Sequence, residues 1–197
     1  MLKIGITGGI GSGKTTLTNY LENKGYTVID ADKMSREYTS AGGKSIPYII
    51  KKFGGDYILP DGSMDRAKMR DLVFNNPEAK RILEEGTTNV VIRDINNIIN
   101  RKQGSGEEII FFSVPLLFEK KMENDYDQIW AVSADREIKK ERVRLRDKID
   151  DNIIDLIIST QAEEDVIISK SDVIIYNNGT LREMYKFVDK LLMDLQL

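Results

Sequence analysis

The sequence predicts an α/β fold built around a five-stranded parallel sheet. Three features predict it. Five short apolar runs are spread along the chain: Leu2–Ile6, Tyr26–Ile29, Glu108–Val114, Gln128–Val132 and Asp172–Tyr176. Helical periodicity fills most of the intervals between them. Between the first two runs, Gly8-Gly9-Ile10-Gly11-Ser12-Gly13-Lys14-Thr15 completes the pattern G-x-x-x-x-G-K-[ST]. Strand, glycine loop, helix and strand then follow as a βαβ unit, and such units build parallel sheets with right-handed crossovers.

In chain order, the helix Lys14–Lys24 carries Leu17 and Leu21 four residues apart and stops at Gly25. The second strand runs into Asp30-Ala31-Asp32. Residues 33–107 hold no convincing strand, and Gly42-Gly43, Phe53-Gly54-Gly55 and Pro60-Asp61-Gly62 divide them into helices. Asp65 is expected to begin a helix over Arg66–Phe74. Ile82, Leu83, Val90, Val91, Ile95, Ile98 and Ile99 mark a longer helix, with Gly86-Thr87-Thr88 as the place where it kinks or breaks. Asp135–Lys170 reads as helical and highly charged. In Thr180–Leu195, Tyr185, Val188, Leu192 and Leu195 recur on a helical period. Phe111, Phe112, Leu116, Leu117, Phe118 and Trp130 are assigned to the core. The expected organisation is one domain over 1–197, with its core in 1–32, 108–134 and 171–197, an insertion at about 33–107, and a helical segment at about 135–170.

Composition narrows the chemistry. The chain has 197 residues, enough to bury a sizeable core without a staple. It has no cysteine, which excludes a disulfide framework, a thiolate zinc site and a cysteine nucleophile. It has no histidine either, so a proton acceptor must be a carboxylate, a lysine, a tyrosine or water. The net charge of −3 gives no reason to expect a nucleic-acid partner. The longest apolar run, Ile109–Phe118, is interrupted by Ser113 and Pro115 and has about half the length a membrane span needs. The chain enters a strand without a signal-peptide layout, so a soluble, cytoplasmic protein is the expectation.

The glycine loop points to a nucleoside triphosphate. Glycines at 8, 9, 11 and 13 permit backbone N–H groups to turn inward around phosphate, and the following helix aims its positive end at the same place. Lys14 can reach the β- and γ-phosphates, and the Thr15 hydroxyl can ligate Mg²⁺. Ligands of open parallel sheets sit beyond the carboxyl ends of the strands, which puts Asp30 and Asp32 close to the loop. One of the two can accept a proton from an acceptor hydroxyl, while either can instead cap the helix expected near Lys33. The third long strand ends in Ser113-Val114-Pro115, where many phosphate-loop ATPases and GTPases place an aspartate for Mg²⁺. That absence favours a small-molecule kinase, with Mg²⁺ relying on Thr15, the phosphates, water and Asp32. Arg142 and Arg146 lie one helical turn apart and can clamp a transferring phosphoryl, whereas Arg144 points elsewhere; a solvated charged face is the plainer account of the same run.

Taken together, these residues resemble the dephospho-CoA kinase family. Thr7-Gly8-Gly9-Ile10-Gly11-Ser12-Gly13-Lys14-Thr15-Thr16 is similar to its phosphate loop, and Asp30-Ala31-Asp32 with Arg36 to its D-A-D-x-x-x-R segment. Asp61-Gly62-Ser63-Met64-Asp65-Arg66 resembles its D-G-x-L-D-R turn, and Val114-Pro115-Leu116-Leu117-Phe118-Glu119 its P-L-L-F-E stretch. Arg142 with Arg146-Asp147 matches R-x-x-x-R-D, and Gln161 and Asn177-Asn178-Gly179 match its later Q and N-x-G signals. One departure is Thr88-Asn89, where members commonly carry His-Pro.

The resemblance implies a three-layer phosphate-loop kinase with a helical acceptor-binding insertion and a helical lid. It implies ATP-dependent phosphorylation of the ribose 3′-hydroxyl of dephospho-CoA. Gly8, Gly9, Gly11, Ser12, Gly13, Lys14, Thr15 and Thr16 would hold ATP with Mg²⁺ on Thr15, and Asn177 and Gly179 would lie beside the adenine. Thr7, Asp32 and Arg36 would bind the acceptor, and Asp32, Lys14, Arg142 and Arg146 would be catalytic. A monomer or weak homo-oligomer is expected. A nucleoside or nucleoside-monophosphate kinase shares loop, lid and fold, and a non-catalytic ATP-sensing module shares the loop alone.

Overall fold

The computed structural model describes residues 1–195. Five strands, β1 (Leu2–Thr7), β2 (Thr27–Ile29), β3 (Ile109–Ser113), β4 (Gln128–Ser133) and β5 (Val173–Tyr176), form one sheet in the order β2-β3-β1-β4-β5. Every pairing is parallel. The chain divides into two compact units, residues 1–29 with 107–197, and residues 30–106.

The first unit holds the sheet. Helix α1 (Lys14–Asn23) buries Leu17 and Leu21 at their four-residue spacing, and Gly25 follows its end with φ of +91°. On that face Ile4, Ile6, Phe111, Trp130 and Val132 pack with Met184, Val188 and Leu192 of the C-terminal helix, Leu181–Leu195. Trp130 is fully buried beside Phe111. The C-terminal helix opens with a capping box: the Thr180 N–H donates to Glu183, and the Glu183 N–H to the Thr180 hydroxyl. On the opposite face Leu117, Phe118, Ile129, Ala131 and Ile167 form a second cluster. The strand alternation sorts side chains to these two faces, so each face needs its own cover. Leu116 corrects an expectation: it is 38% exposed and outside the core, whereas its neighbours Leu117 and Phe118 are buried. The segment after β3 turns at Pro115, so successive apolar residues there no longer share a side.

Tyr20 and Tyr185 stack 3.9 Å apart, joining α1 to the C-terminal helix. Beside them, Asp189 pairs with Lys24 at 2.8 Å and accepts the Tyr20 hydroxyl at 2.7 Å. The Lys24 ammonium, then the Tyr20 hydroxyl, hold the Asp189 carboxyl below its usual pKa. A depressed folded-state pKa stabilises fully above the unfolded value of about 4 and loses that contribution as pH falls through the folded value. Asp189→Asn is therefore expected to cost about 1 kcal/mol at pH 7. In urea titrations at a series of pH values, its difference from the unmodified protein should shrink below about pH 4.

The second unit is helical: α2 (Ala31–Tyr38), α3 (Ile46–Phe53), α4 (Arg66–Asn75), α5 (Pro77–Gly86) and α6 (Thr88–Gly104). Its core is Ile46, Ile49, Met64 and Met69, with Phe53, Leu72 and Leu83 against them. Asp94 of α6 accepts the Tyr38 hydroxyl at 2.6 Å and the Lys44 ammonium at 2.7 Å. Asp65 caps α4 through the Lys68 N–H, as expected from its place before Arg66. The long apolar pattern breaks between α5 and α6. A Cβ on Gly86 would overlap the Tyr48 ring at 1.9 Å, and Thr87 leaves helical geometry. Thr88 and Asn89 open α6, a position where proline is also well suited.

Candidate active site

The glycine loop spans the end of β1 and the start of α1, and its shape depends on close approach. Gly13, with φ of +101°, is the N-cap of α1; a Cβ there would sit 2.1 Å from the Asn177 side-chain nitrogen. Gly11, with φ of +77°, faces the Lys139 carbonyl, which a Cβ would meet at 2.5 Å. No side chain caps α1, and no acidic residue lies in its first turn. The first-turn N–H groups and the positive helix end are thus free of competing carboxylates, the arrangement that suits an anion.

Four groups surround this loop within the first unit. The Lys14 ammonium donates to the hydroxyl of Ser113, buried at the end of β3. Ser113 pairs in register with Ile6, so the strand end that lacks an aspartate lies directly beside β1. Asn177, 3% exposed and just beyond β5, donates from its side-chain nitrogen to the Ser12 carbonyl at 2.8 Å. Its own carbonyl accepts from Arg142 at 2.8 Å, and Arg142 also approaches the Gly11 carbonyl at 3.5 Å. The Ile10 N–H donates to Gln161 Oε1 at 2.9 Å. Two buried side-chain atoms at this place, Ser12 Oγ and Asn177 Oδ1, have no hydrogen-bond partner among the described residues. Unpaired buried polar atoms are uncommon and ask for a functional reason.

Helix α7 (Arg136–Asp147) separates its arginines by direction. Arg142 reaches the loop region, while Arg144 forks onto Asp151 with two contacts of 2.8 Å. Arg146 turns instead to its sequence neighbour Asp147, at 2.7 and 2.8 Å, and holds that carboxyl below its usual pKa. Arg142 and Arg146 are thus not brought together on the loop. Lys139, on the same helix, is almost fully buried and pairs with Glu164 at 2.6 Å; Glu164 also accepts the Ser133 hydroxyl. Helices α8 (Asp151–Ser159) and α9 (Glu164–Lys170) follow. Pattern reading missed Ser113 and Lys139, because a serine ending an apolar run and a lysine within a charged run carry no mark of burial.

Of the other expected residues, Thr7 is buried at the end of β1, Thr15 is exposed in the first turn of α1, and Thr16 is half-buried. Asn177 braces the loop through its side-chain nitrogen, and its backbone carbonyl accepts from Arg142, which leaves the side-chain Oδ1 as its unpaired group. Asn178 bonds Asp135, and Gly179 is exposed before the C-terminal helix. Asp30 and Asp32 differ from expectation. The helix begins at Ala31, so the two carboxylates do not alternate on a strand: Asp30 caps α2 by accepting the Lys33 N–H at 2.8 Å. Asp32 and Arg36 are exposed on α2 of the second unit. Strand β3 also lies between β1 and β2, so the end of β2 does not adjoin the loop strand.

Among the described residues no group of three or more acidic side chains is placed to hold a metal ion. The Thr15 hydroxyl, exposed in the first turn of α1, is an oxygen donor of the class that Mg²⁺ takes. No helix among the described residues is long and apolar enough to cross a membrane.

The sequence model of the dephospho-CoA kinase family matches residues 2–183. A dephospho-CoA kinase of Fusobacterium nucleatum subsp. nucleatum is 37% identical over 188 residues, 95% of either chain. One of Geobacter metallireducens is 37% identical over 183 residues, covering 93% of this chain and 91% of the relative. Among solved structures, TT1252 from Thermus thermophilus superposes with a TM-score of 0.75 and 27% identity, covering 98% of this chain and 97% of that one. A dephospho-CoA kinase from Campylobacter jejuni, 21% identical, superposes with a TM-score of 0.63 over 98% of this chain and 96% of its own, and shows the shared fold.

Proposed function

The chain belongs to the dephospho-CoA kinase family, and from that premise we propose how its residues divide the work of phosphorylating dephospho-CoA with ATP, the final step of coenzyme A biosynthesis. The observation that carries the assignment is the collared glycine loop: a helix N-terminus without acidic residues, Lys14 on the Ser113 hydroxyl at the end of β3, Arg142 on the Asn177 and Gly11 carbonyls, and the Asn177 side chain on the Ser12 carbonyl. Phosphoryl transfer asks for positioning and charge stabilisation more than for covalent chemistry, so a chain without histidine or cysteine is equipped for it.

In this reading the Gly8–Thr16 backbone and Lys14 bind the ATP phosphates. Thr15 would hold Mg²⁺, which would supply charge neutralisation to the ATP phosphates. Asp32, free of the capping task that Asp30 performs, orients the ribose 3′-hydroxyl and takes its proton, with Arg36 and Thr7 assisting acceptor binding. Arg142 offsets charge on the moving phosphoryl. Arg146 joins it after exchanging Asp147 for phosphate, as α7 to α9 close as a lid. Asn177 and Gly179 border the adenine through the backbone beyond β5. The same reading takes the protein to be a cytoplasmic monomer or weak homo-oligomer acting on small molecules.

The test is ADP release with Mg-ATP in the presence of dephospho-CoA, AMP, CMP, UMP or no acceptor. Dephospho-CoA is expected to stimulate release selectively and to yield coenzyme A. Stimulation by a nucleoside monophosphate alone would move the assignment to that class of kinase. ATP binding without any stimulation would support a sensing module.

A further inference from the structure

We infer that Gln161 is a positioning residue for the phosphate loop, holding the Gly9–Ile10 peptide through its side-chain carbonyl in the shape that receives nucleotide. This rests on the reading that the loop binds ATP. The Ile10 N–H donates to Gln161 Oε1, a contact bridging 151 positions of sequence. Gln161 lies between α8 and α9 and is itself anchored on both sides. Its N–H donates to the Ile158 carbonyl at 3.1 Å, and the next residue, Ala162, donates to Glu119 at 2.7 Å. These bonds shape the turn that carries the amide.

Gly9 gives an independent sign of the same contact. Unlike Gly11 and Gly13, it has ordinary backbone geometry that an alanine can adopt. Among the described residues, leaving out its chain neighbours, the only group close to a Cβ there is Gln161, with Oε1 at 3.1 Å. A side chain at position 9 would therefore press first on the Gln161 amide. On this side Gly9, Ile10 and Gln161 border a cavity of about 590 Å³ with Ser133, Lys139 and Glu164 also in its lining.

Gln161→Leu keeps the bulk of the side chain and removes the acceptor. It is expected to weaken binding of a fluorescent ADP analogue, and to raise KM for ATP, by about five- to tenfold, the effect of one lost neutral hydrogen bond. KM for dephospho-CoA should stay unchanged, a split between the two substrates that a general packing role would not produce. Gly9→Ala should weaken nucleotide binding similarly, but should add no further loss in a Gln161→Ala background, since the group it strikes is gone. Unaltered nucleotide binding in Gln161→Leu, or losses that multiply in the double variant, would overturn the inference. Failure of the unmodified protein to bind the analogue would instead defeat the reading of the loop and the inference with it.

Discussion

Asp32→Asn is expected to lower turnover of dephospho-CoA by about 10²–10⁴-fold, the usual contribution of a general base, while ATP affinity stays within about twofold. Asparagine retains the shape and the hydrogen-bonding oxygen but cannot accept the proton. Asp30 has a different task, since its carboxylate accepts the Lys33 N–H at the start of α2. Asp30→Asn preserves that cap, since asparagine is an equally good N-cap, and should leave turnover nearly unchanged. Steady-state kinetics beside calorimetric ATP titration separate the two effects. Near-normal turnover in Asp32→Asn would remove Asp32 as the base.

Gly13→Ala is the second large effect, and it acts on the loop itself. At φ of +101° a side chain pays about 1–2 kcal/mol for left-handed backbone. The new Cβ would also meet the Asn177 nitrogen at 2.1 Å and push it from the Ser12 carbonyl. Leaving that buried pair unmade costs a further 1–3 kcal/mol or so. The variant should therefore unfold about 2–5 kcal/mol more easily in urea and bind ATP at least tenfold more weakly. Removing the Asn177 side chain in the same molecule should relieve the collision but not the backbone strain. A stability change confined to the backbone part in both variants would show that Asn177 does not press on the loop.

Much of this was legible beforehand, for reasons that differ by element. The five strands are continuous apolar runs because both faces of a parallel sheet are covered, and such runs stand out against charged helices. The loop announces itself because few other uses need glycine, lysine and threonine at that spacing. Asp65 and Gly25 were readable as helix signals because capping is local chemistry. Asp30 and Asp32 were harder: alternation on a strand and the first turn of a helix place the pair differently, and only the start of α2 at Ala31 decides between them. Arg146 was paired with Arg142 by helical spacing, yet spacing says nothing of an adjacent Asp147 that captures its guanidinium. Ser113, Lys139 and the tie from Gln161 to Ile10 depend on contacts across many residues, which no local pattern encodes.

The brace from Asn177 to Ser12 joins positions separated by 165 residues. The glycine motif is synthesised long before the side chain that braces it. A nascent chain emerging from the ribosome carries the complete motif long before anything holds it in shape. Nucleotide meets the braced loop only once both of these segments are in place. It selects the finished molecule, and adds its binding energy only after the C-terminal end of the sheet has closed.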